Sequence, residues 1–381
     1  MNIIIRNCRC YDKLDEYCQL WLKEGKIEAI GAQIDPPTPF EEYDARGAII
    51  APGLIDIHIQ GAGGADVLDT NEDTILIMGR KLSAIGTTSF LATTVYLPDR
   101  DNTHLHPVRL TRSRDDLSAE CLGWHLEGPF INRIKKGGIS EHAIAPFSNT
   151  LWQEINQLTT PNLRMMTLAP ELEGVPKLVA QLNQLRIIPS LGHTDISFEN
   201  AQQYIGREIH HVTHIFNAMR GFTHREPGPL AAIARHNSVT VQLIADGVHV
   251  HPGAIRMLFQ LIGPQRIICI TDGVRTIGMP DGEYEYGGRK FISLDGAARY
   301  EDGTLIGCSL SLLEIVRRFR SSTQCSIRDA INTASYNPAL LLGIENRKGV
   351  LKTGADADLI LIDDSLQLIQ CWIRGKKRQN F

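Results

Sequence analysis

This chain has no Cys-x-x-Cys pair, no apolar run near the ~18 residues that span a bilayer, and no basic block along its body. Each absence removes a class of protein. The eight cysteines (Cys8, Cys10, Cys18, Cys121, Cys269, Cys308, Cys325 and Cys371) are scattered, and several sit inside apolar runs, where cysteine behaves as a small hydrophobe. That usage predicts a reducing cytoplasm rather than a disulfide scaffold or a thiolate metal site. With a formal net charge of −4 and mixed signs throughout, the chain offers nucleic acid no surface, and the short Lys376-Lys377-Arg378 run reads as a solvated tail. No basic start precedes an apolar core, so neither a secretory signal nor a membrane anchor is expected. Internal repeats and low-complexity segments are also missing. A soluble cytoplasmic protein remains, and its 381 residues are long for one ordinary domain.

The two ends of the chain read alike. Asn2–Arg6, Gln19–Lys23 and Lys26–Ala32 are strand-like, with Glu24-Gly25 as a hairpin turn, and Asp35-Pro-Pro-Thr-Pro39 is an exposed connection. This segment has too few apolar residues for a core of its own. Asp358–Ile362 and Leu368–Arg374 supply matching strands, which predicts one small β domain built from residues 1–50 and 351–381. Between them, residues 51–350 alternate apolar runs with helical patterns. The strand candidates are Leu54–Ile59, Thr88–Thr94, Cys121–Leu126, Leu163–Ala169, Arg186–Pro189, His210–His214, Val239–Ala245 and Arg266–Thr271. Helical patterns include Thr74–Ile85, Val175–Leu185, Ser197–Ile205 and Pro252–Leu261. Eight such units predict a (β/α)8 barrel, with a doubly wound open sheet as the rival architecture. Glu283–Ile306 reads as turn-rich hairpins around Gly287-Gly288 and Asp302-Gly303. Helices follow near Ser311–Arg320 and Arg328–Ala334, with Pro338 as a stop.

Polar residues then fall at strand ends. His58 sits near the end of the first strand, Glu127 ends the third and His193 follows the fifth. His214 ends the sixth, His249 and His251 follow the seventh, and Asp272 ends the eighth. A barrel gathers all of these at one mouth, where its active sites form. Taken singly, each has a plainer reading: Asp272-Gly273 is a common turn, and a histidine at a strand end is usually a hydrogen-bonded structural residue. Together, imidazoles and one carboxylate make a zinc-type ligand set that leaves a position open for water.

The chain resembles the N-acetylglucosamine-6-phosphate deacetylases of the amidohydrolase superfamily. The likeness rests on Ala51-Pro-Gly-Leu-Ile-Asp56, Leu126-Glu-Gly-Pro-Phe130, Leu191-Gly-His-Thr194 and His214-Ile-Phe-Asn-Ala-Met219. It continues through Arg225-Glu-Pro-Gly228, Ala245-Asp-Gly-Val-His249, Ile270-Thr-Asp-Gly273 and Gly354-Ala-Asp-Ala-Asp-Leu359. The Asn-Ala-Met and Arg-Glu-Pro-Gly blocks are the most specific; the first and last motifs are shared across the superfamily. The resemblance implies a distorted (β/α)8 TIM barrel with a small β-sandwich formed by both termini. It implies Glu127, His193 and His214 as ligands of one divalent metal, zinc foremost with Fe2+, Mn2+ and Co2+ as alternatives, and Asp272 as the catalytic carboxylate. Substrate contacts fall on Asn217, Ala218, His249, Gly138, Ile139, Ile306, Gly307 and Cys308. They also fall on Arg225, which in the family reaches the partner subunit's site in a homodimer.

These roles make chemical sense. An acetamide is a poor electrophile and water a poor nucleophile, so a divalent ion and a proton-shuttling carboxylate address both deficits. A guanidinium suits a phosphate through its planar fork, while the plainer reading of Arg225 is a surface ion pair with Glu226. Two departures from the family stand out. His58-Ile-Gln60 replaces the His-x-His of two-metal relatives, which leaves His58 and Gln60 as a weak second site. Ile139 stands where the family usually has a histidine, with His142 three residues on. The expected reaction is deacetylation of N-acetylglucosamine 6-phosphate. The galactosamine epimer, another amide, or a catalytically silent scaffold homologue are the alternatives.

Overall fold

The computed structural model describes residues 2–69, 71–106, 117–286 and 288–378. Eight parallel strands stand side by side in chain order: Leu54–Ile59, Thr87–Thr94, Glu120–Glu127, Leu163–Leu168, Ile188–Leu191, His211–Val212, Thr240–Leu243 and Ile267–Cys269. The first and last meet through a parallel bridge between Ile59 and Gly273, so the sheet curls into a barrel. Both faces of these strands are covered, which explains their near-continuous apolar runs: every residue of Thr87–Thr94 and Leu54–Ile59 is buried. Consecutive parallel strands in a closed ring exclude the open doubly wound sheet.

Several strands are shorter than their apolar runs, and the reasons are local. Arg186–Pro189 was expected as the fifth strand, yet Arg186 has φ 59° and belongs to the turn after the helix Val175–Gln184, so the strand is Ile188–Leu191. The sixth strand stops at Val212 rather than His214, because the chain turns sharply at His214. Ser197 and Ser311 are N-caps, accepting hydrogen bonds from the backbone N–H of Asn200 and Glu314, so their helices begin at Phe198 and Leu312. Pro338 does not stop a helix. It lies in the first turn of a further one, Tyr336–Leu341, where its missing N–H costs nothing.

The second sheet takes strands from both termini: Asn2–Cys10, Lys13–Lys23, Lys26–Gly31, Glu41–Asp44 and Ile49–Pro52 join Leu359–Ile362, Leu368–Ile373 and Lys376–Lys377. Its own core contains Ile3, Ile5, Leu20, Leu22, Leu359, Leu361 and Trp372. Lys376 and Lys377 are exposed as expected of a solvated run, but they belong to a strand, and Arg378 is not solvated. Lys377 pairs with Trp372 along the sheet, and Arg378 is buried and donates to the Leu117 carbonyl.

After the eighth strand, Gly282–Tyr286, Arg289–Leu294, Ala297–Tyr300 and Leu305–Cys308 form an antiparallel sheet around Val274, Phe291, Ala298, Tyr300 and Ile306. Of the expected Gly287-Gly288 turn, Gly287 lies outside the described residues. This sheet matters for the site because its last strand bridges Gly273 through Cys308.

Candidate active site

The barrel mouth brings together the groups expected at the strand ends. Glu127 Oε1 lies 3.0 Å from His193 Nε2 and 2.9 Å from His214 Nε2, and the two imidazole nitrogens are 3.1 Å apart. All three residues are buried. Two nitrogens that close cannot both point protons at each other. His193 Nδ1 lies 2.8 Å from the Lys135 carbonyl, which can only accept, so its proton sits on Nδ1 and Nε2 presents a lone pair. Four ligands around zinc at about 2.1 Å stand roughly 3.4 Å apart, close to the spacing of these three atoms. Among the described residues, the group Glu127, His193 and His214 is suited to hold a metal ion.

Asp272 stands beside this group. Its side chain accepts from Gln60 Nε2 at 3.2 Å, and His58 Nε2 is also 3.2 Å from the same oxygen. Burial alone would raise the Asp272 carboxyl, yet the His58 charge outweighs it and holds the pKa below the ordinary value. Burial likewise opposes a charge on His58, but Glu127 and Asp272 keep it well above the usual imidazole range. Glu127 is pulled well down against its burial by His58, His193 and His214. Asp272 is thus ionised at neutral pH and able to accept a proton.

The backbone at these residues is unusual. His193, His214 and Asp272 have φ of 47°, 23° and 50°, in a region that non-glycine residues rarely adopt and that often marks functional positions. Asp272 is clamped on both sides: its N–H donates to the His58 carbonyl and its carbonyl accepts from Cys308 N–H, each at 3.0 Å. Gly307 permits the approach, since a Cβ there would lie 2.4 Å from the Asp272 carbonyl oxygen.

The remaining expected residues divide. Gly138, Ile139 and Ile306 line one small cavity with the metal-suited group, Asp272 and Gln60. Gly307 and Cys308 lie behind Asp272 as support. Asn217, Ala218 and His249 do not line that cavity. Asn217 Nδ2 bonds the His214 and Ile215 carbonyls, Ala218 has φ 49°, and His249 Nδ1 is held 2.6 Å from Asp246 Oδ2. Arg225 is exposed and has no ion pair with Glu226 or any other acid among the described residues. His58 presents Nε2 to Glu127 and Asp272, with Nδ1 on Gln242 at 2.9 Å, whereas Gln60 gives its amide nitrogen to Asp272. His142 lines an adjoining chamber, not this cavity.

Four participants escaped the sequence reading. Tyr286, Val95 and Leu305 line the cavity, and Gln242 orients His58. Gln242 left a trace, as a polar residue inside the apolar run Val239–Ala245. Tyr286 left none, since it enters from the hairpin sheet after the last strand. Other strand-end histidines follow the plainer reading: His125 bonds the Thr93 and Thr167 hydroxyls and His211 bonds Thr240, and burial drives His211 down to about 3.

Residues 49–379 match the amidohydrolase family. The chain is 37% identical over 360 residues to the N-acetylglucosamine-6-phosphate deacetylase of Bacillus subtilis, covering 93% of this chain and 91% of that one. This chain belongs to the N-acetylglucosamine-6-phosphate deacetylase family of amidohydrolases. The crystal structure of the Pasteurella multocida enzyme of that name superposes with a TM-score of 0.91 at 25% identity over the whole of both chains. A mutant from Mycobacterium smegmatis, solved in complex with N-acetyl-D-glucosamine-6-phosphate, gives 0.88 at 26% identity, covering 99% of this chain and 98% of that one. The family is metal-dependent, in keeping with the donor set at the barrel mouth.

Proposed function

We propose that this chain hydrolyses the acetamide of N-acetylglucosamine 6-phosphate, giving glucosamine 6-phosphate and acetate. The observation that carries the reading is the convergence of Glu127 Oε1, His193 Nε2 and His214 Nε2 beside the ionised carboxylate of Asp272. A divalent ion held by those three, zinc in our reading, supplies Lewis acidity when bound, lowering the pKa of a water and polarising the acyl carbonyl. Asp272 accepts the proton of the attacking water and returns it to the amine nitrogen as the C–N bond breaks. Gln60 and His58 hold that carboxylate in place, and His58 Nε2 also stands 3.5 Å from Glu127 Oε2. Residues 51–350 carry this chemistry, and 1–50 with 351–381 form the supporting β domain. The eight free cysteines suit a cytoplasmic setting. Among the described residues no helix is long and apolar enough to cross a membrane.

The phosphate goes to Asn217, the Ala218 backbone and His249, completed by Arg225 from the partner of a homodimer. An exposed guanidinium without an acid, on a loop that also exposes Phe222 at 60%, supports an interface there. Arg225→Ala is expected to weaken phosphorylated substrate roughly 30-fold or more while scarcely affecting the plain sugar. Mixing Arg225→Ala with Asp272→Asn chains should restore activity, because one site of the mixed dimer is whole. No recovery after demonstrated chain exchange contradicts the shared site.

The direct test of function is product formation from N-acetylglucosamine 6-phosphate, its galactosamine epimer and both unphosphorylated sugars, before and after metal removal. The reading predicts metal-dependent release of acetate with preference for the phosphorylated gluco compound. A protein that holds its metal and releases no acetate from any of the four contradicts it.

A further inference from the structure

The cavity at Asp272 is small, about 60 Å³, but it does not end there. Val95, Gly138, Ile139 and Tyr286 line it and also line a chamber of about 820 Å³. These four form a throat between the reacting groups and a space far larger than an acetyl group needs.

The direction of the substrate identifies what enters that space. The acyl carbon presents its oxygen to the Glu127–His193–His214 group and its nitrogen to Asp272. On the deacetylase reading the sugar follows the nitrogen, with its phosphate at the loops after the strands His211–Val212 and Thr240–Leu243. The remaining substituent, the acyl chain, leaves on the other side of the barrel mouth. There Val95 follows the strand Thr87–Thr94 and Tyr286 ends the strand Gly282–Tyr286. The wall near the reacting groups is apolar, with Val95, Ile139, Leu305 and Ile306, as methylene groups require.

Farther in, polar groups return with partners missing. Asp66 is 1% exposed and its Oδ2 has no hydrogen-bond partner. Arg275 reaches Asp69 through one Nη at 2.8 Å, while its buried Nε has no partner. The Tyr286 hydroxyl makes no hydrogen bond among the described residues. Burial and the carboxylates of Asp66, Glu127 and Asp272 hold its pKa well above the ordinary value, so it remains a donor. Unpaired buried polar groups are costly and rare in native proteins. Two of them, Asp66 Oδ2 and Arg275 Nε, together with the half-buried, unbonded Tyr286 hydroxyl, mark a place for a polar ligand group around this chamber.

We propose that this chamber is an acyl subsite, and that the enzyme accepts hexosamine 6-phosphates whose N-acyl chain has about four to six carbons and a terminal hydroxyl, which Tyr286 and Arg275 recognise. This rests on the deacetylase reading and extends its substrate class. The reaction is the same hydrolysis: the water oxygen bonds the acyl carbon, the C–N bond breaks, and the water proton ends on the amine. The products are the hexosamine phosphate and a hydroxy acid, with no further reactant.

The test uses the metal-loaded protein and glucosamine 6-phosphate carrying acetyl, butyryl or 4-hydroxybutyryl groups. The 4-hydroxybutyryl compound should show kcat/KM within about tenfold of acetyl and above butyryl. Leu97 lines only the chamber, so Leu97→Trp fills it. That variant should lower the 4-hydroxybutyryl rate roughly tenfold or more and leave acetyl within about twofold. Tyr286→Phe should cost 4-hydroxybutyryl about fivefold beyond any loss with butyryl. Dissociation constants on the Asp272→Asn chain should rank the same way without turnover. Normal acetyl turnover with the longer chains below about 1% of it overturns the subsite, as does a Leu97→Trp loss shared equally by all three. Loss of the acetyl reaction in the unaltered protein would instead overturn the deacetylase reading, and this inference with it.

Discussion

The strand Glu120–Glu127 carries a glutamate at each end, and the two ends are built for different purposes. At the start of the strand, Glu120 meets Arg347 at 2.7 Å and Lys348 at 3.0 Å, and the same two cations hold Asp356, with Lys348 also paired to Asp358. Glu120, Asp356 and Asp358 lie close enough to share a metal ion, but the protein supplies its own cations. At the far end Glu127 has only imidazoles for company, and no lysine or arginine pairs with it among the described residues. One cluster closes the barrel floor against the terminal sheet; the other is a carboxylate and imidazole set suited to hold a metal ion. The difference teaches where stability ends and chemistry begins along a single strand, the division expected between the two faces of a barrel.

The largest effect that would sharpen this contrast is at the mouth. Asp272→Asn should lower turnover about 10²–10⁴-fold while metal content and Tm stay near those of the unaltered protein, because an amide fits the space but cannot accept the proton. Turnover near normal would remove Asp272 from the reaction. At the floor the pattern should invert. Lys348→Met leaves three carboxylates short of one cation and should cost about 3–5 kcal/mol of stability in denaturant unfolding, with kcat/KM of the folded fraction almost unchanged. A variant that unfolds normally yet loses activity would break the comparison.

The smallest effect concerns pH. Burial alone would raise Glu120, but Arg347 and Lys348 outweigh it and bring the carboxyl down to about 2. A folded pKa below the unfolded one means that the native state binds fewer protons. The stabilisation is therefore present above about 4.3 and lost as pH falls towards 2. Acid unfolding of Glu120→Gln should lack part of that dependence. Identical acid profiles for the two proteins would show that the floor pairing does not contribute in this way.

Much of this organisation was legible in the sequence, for physical reasons. Strands buried on both faces become continuous apolar runs, and a carboxylate or imidazole at the end of such a run stands out, as Glu127, His214 and Asp272 do. The terminal sheet was legible because residues 1–50 lack the apolar content for a separate core. What escaped depends on contacts distant in sequence. Tyr286 reaches the cavity only because the hairpin sheet folds back over the barrel, and nothing near residue 286 signals it. Lys348 looks like an ordinary surface lysine in sequence, although it is buried between the nearby Asp356 and Asp358 and the distant Glu120. Strand ends were displaced where a functional residue bends the chain: the strand stops at Val212 because His214 sits at φ 23°. Arg378 was misread because its burial depends on Leu117, more than two hundred residues away.

The central claim is that Glu127, His193 and His214 form one ion-holding site whose counterpart on the floor is already filled by the protein. Elemental analysis of the purified chain and of the His193→Ala/His214→Ala double variant, with Tm measured in parallel, tests it most directly. The account predicts one tightly held divalent ion per chain in the first and none in the second, with the double variant still folded. Two firmly bound ions per chain, or a full equivalent retained by the folded double variant, would contradict it.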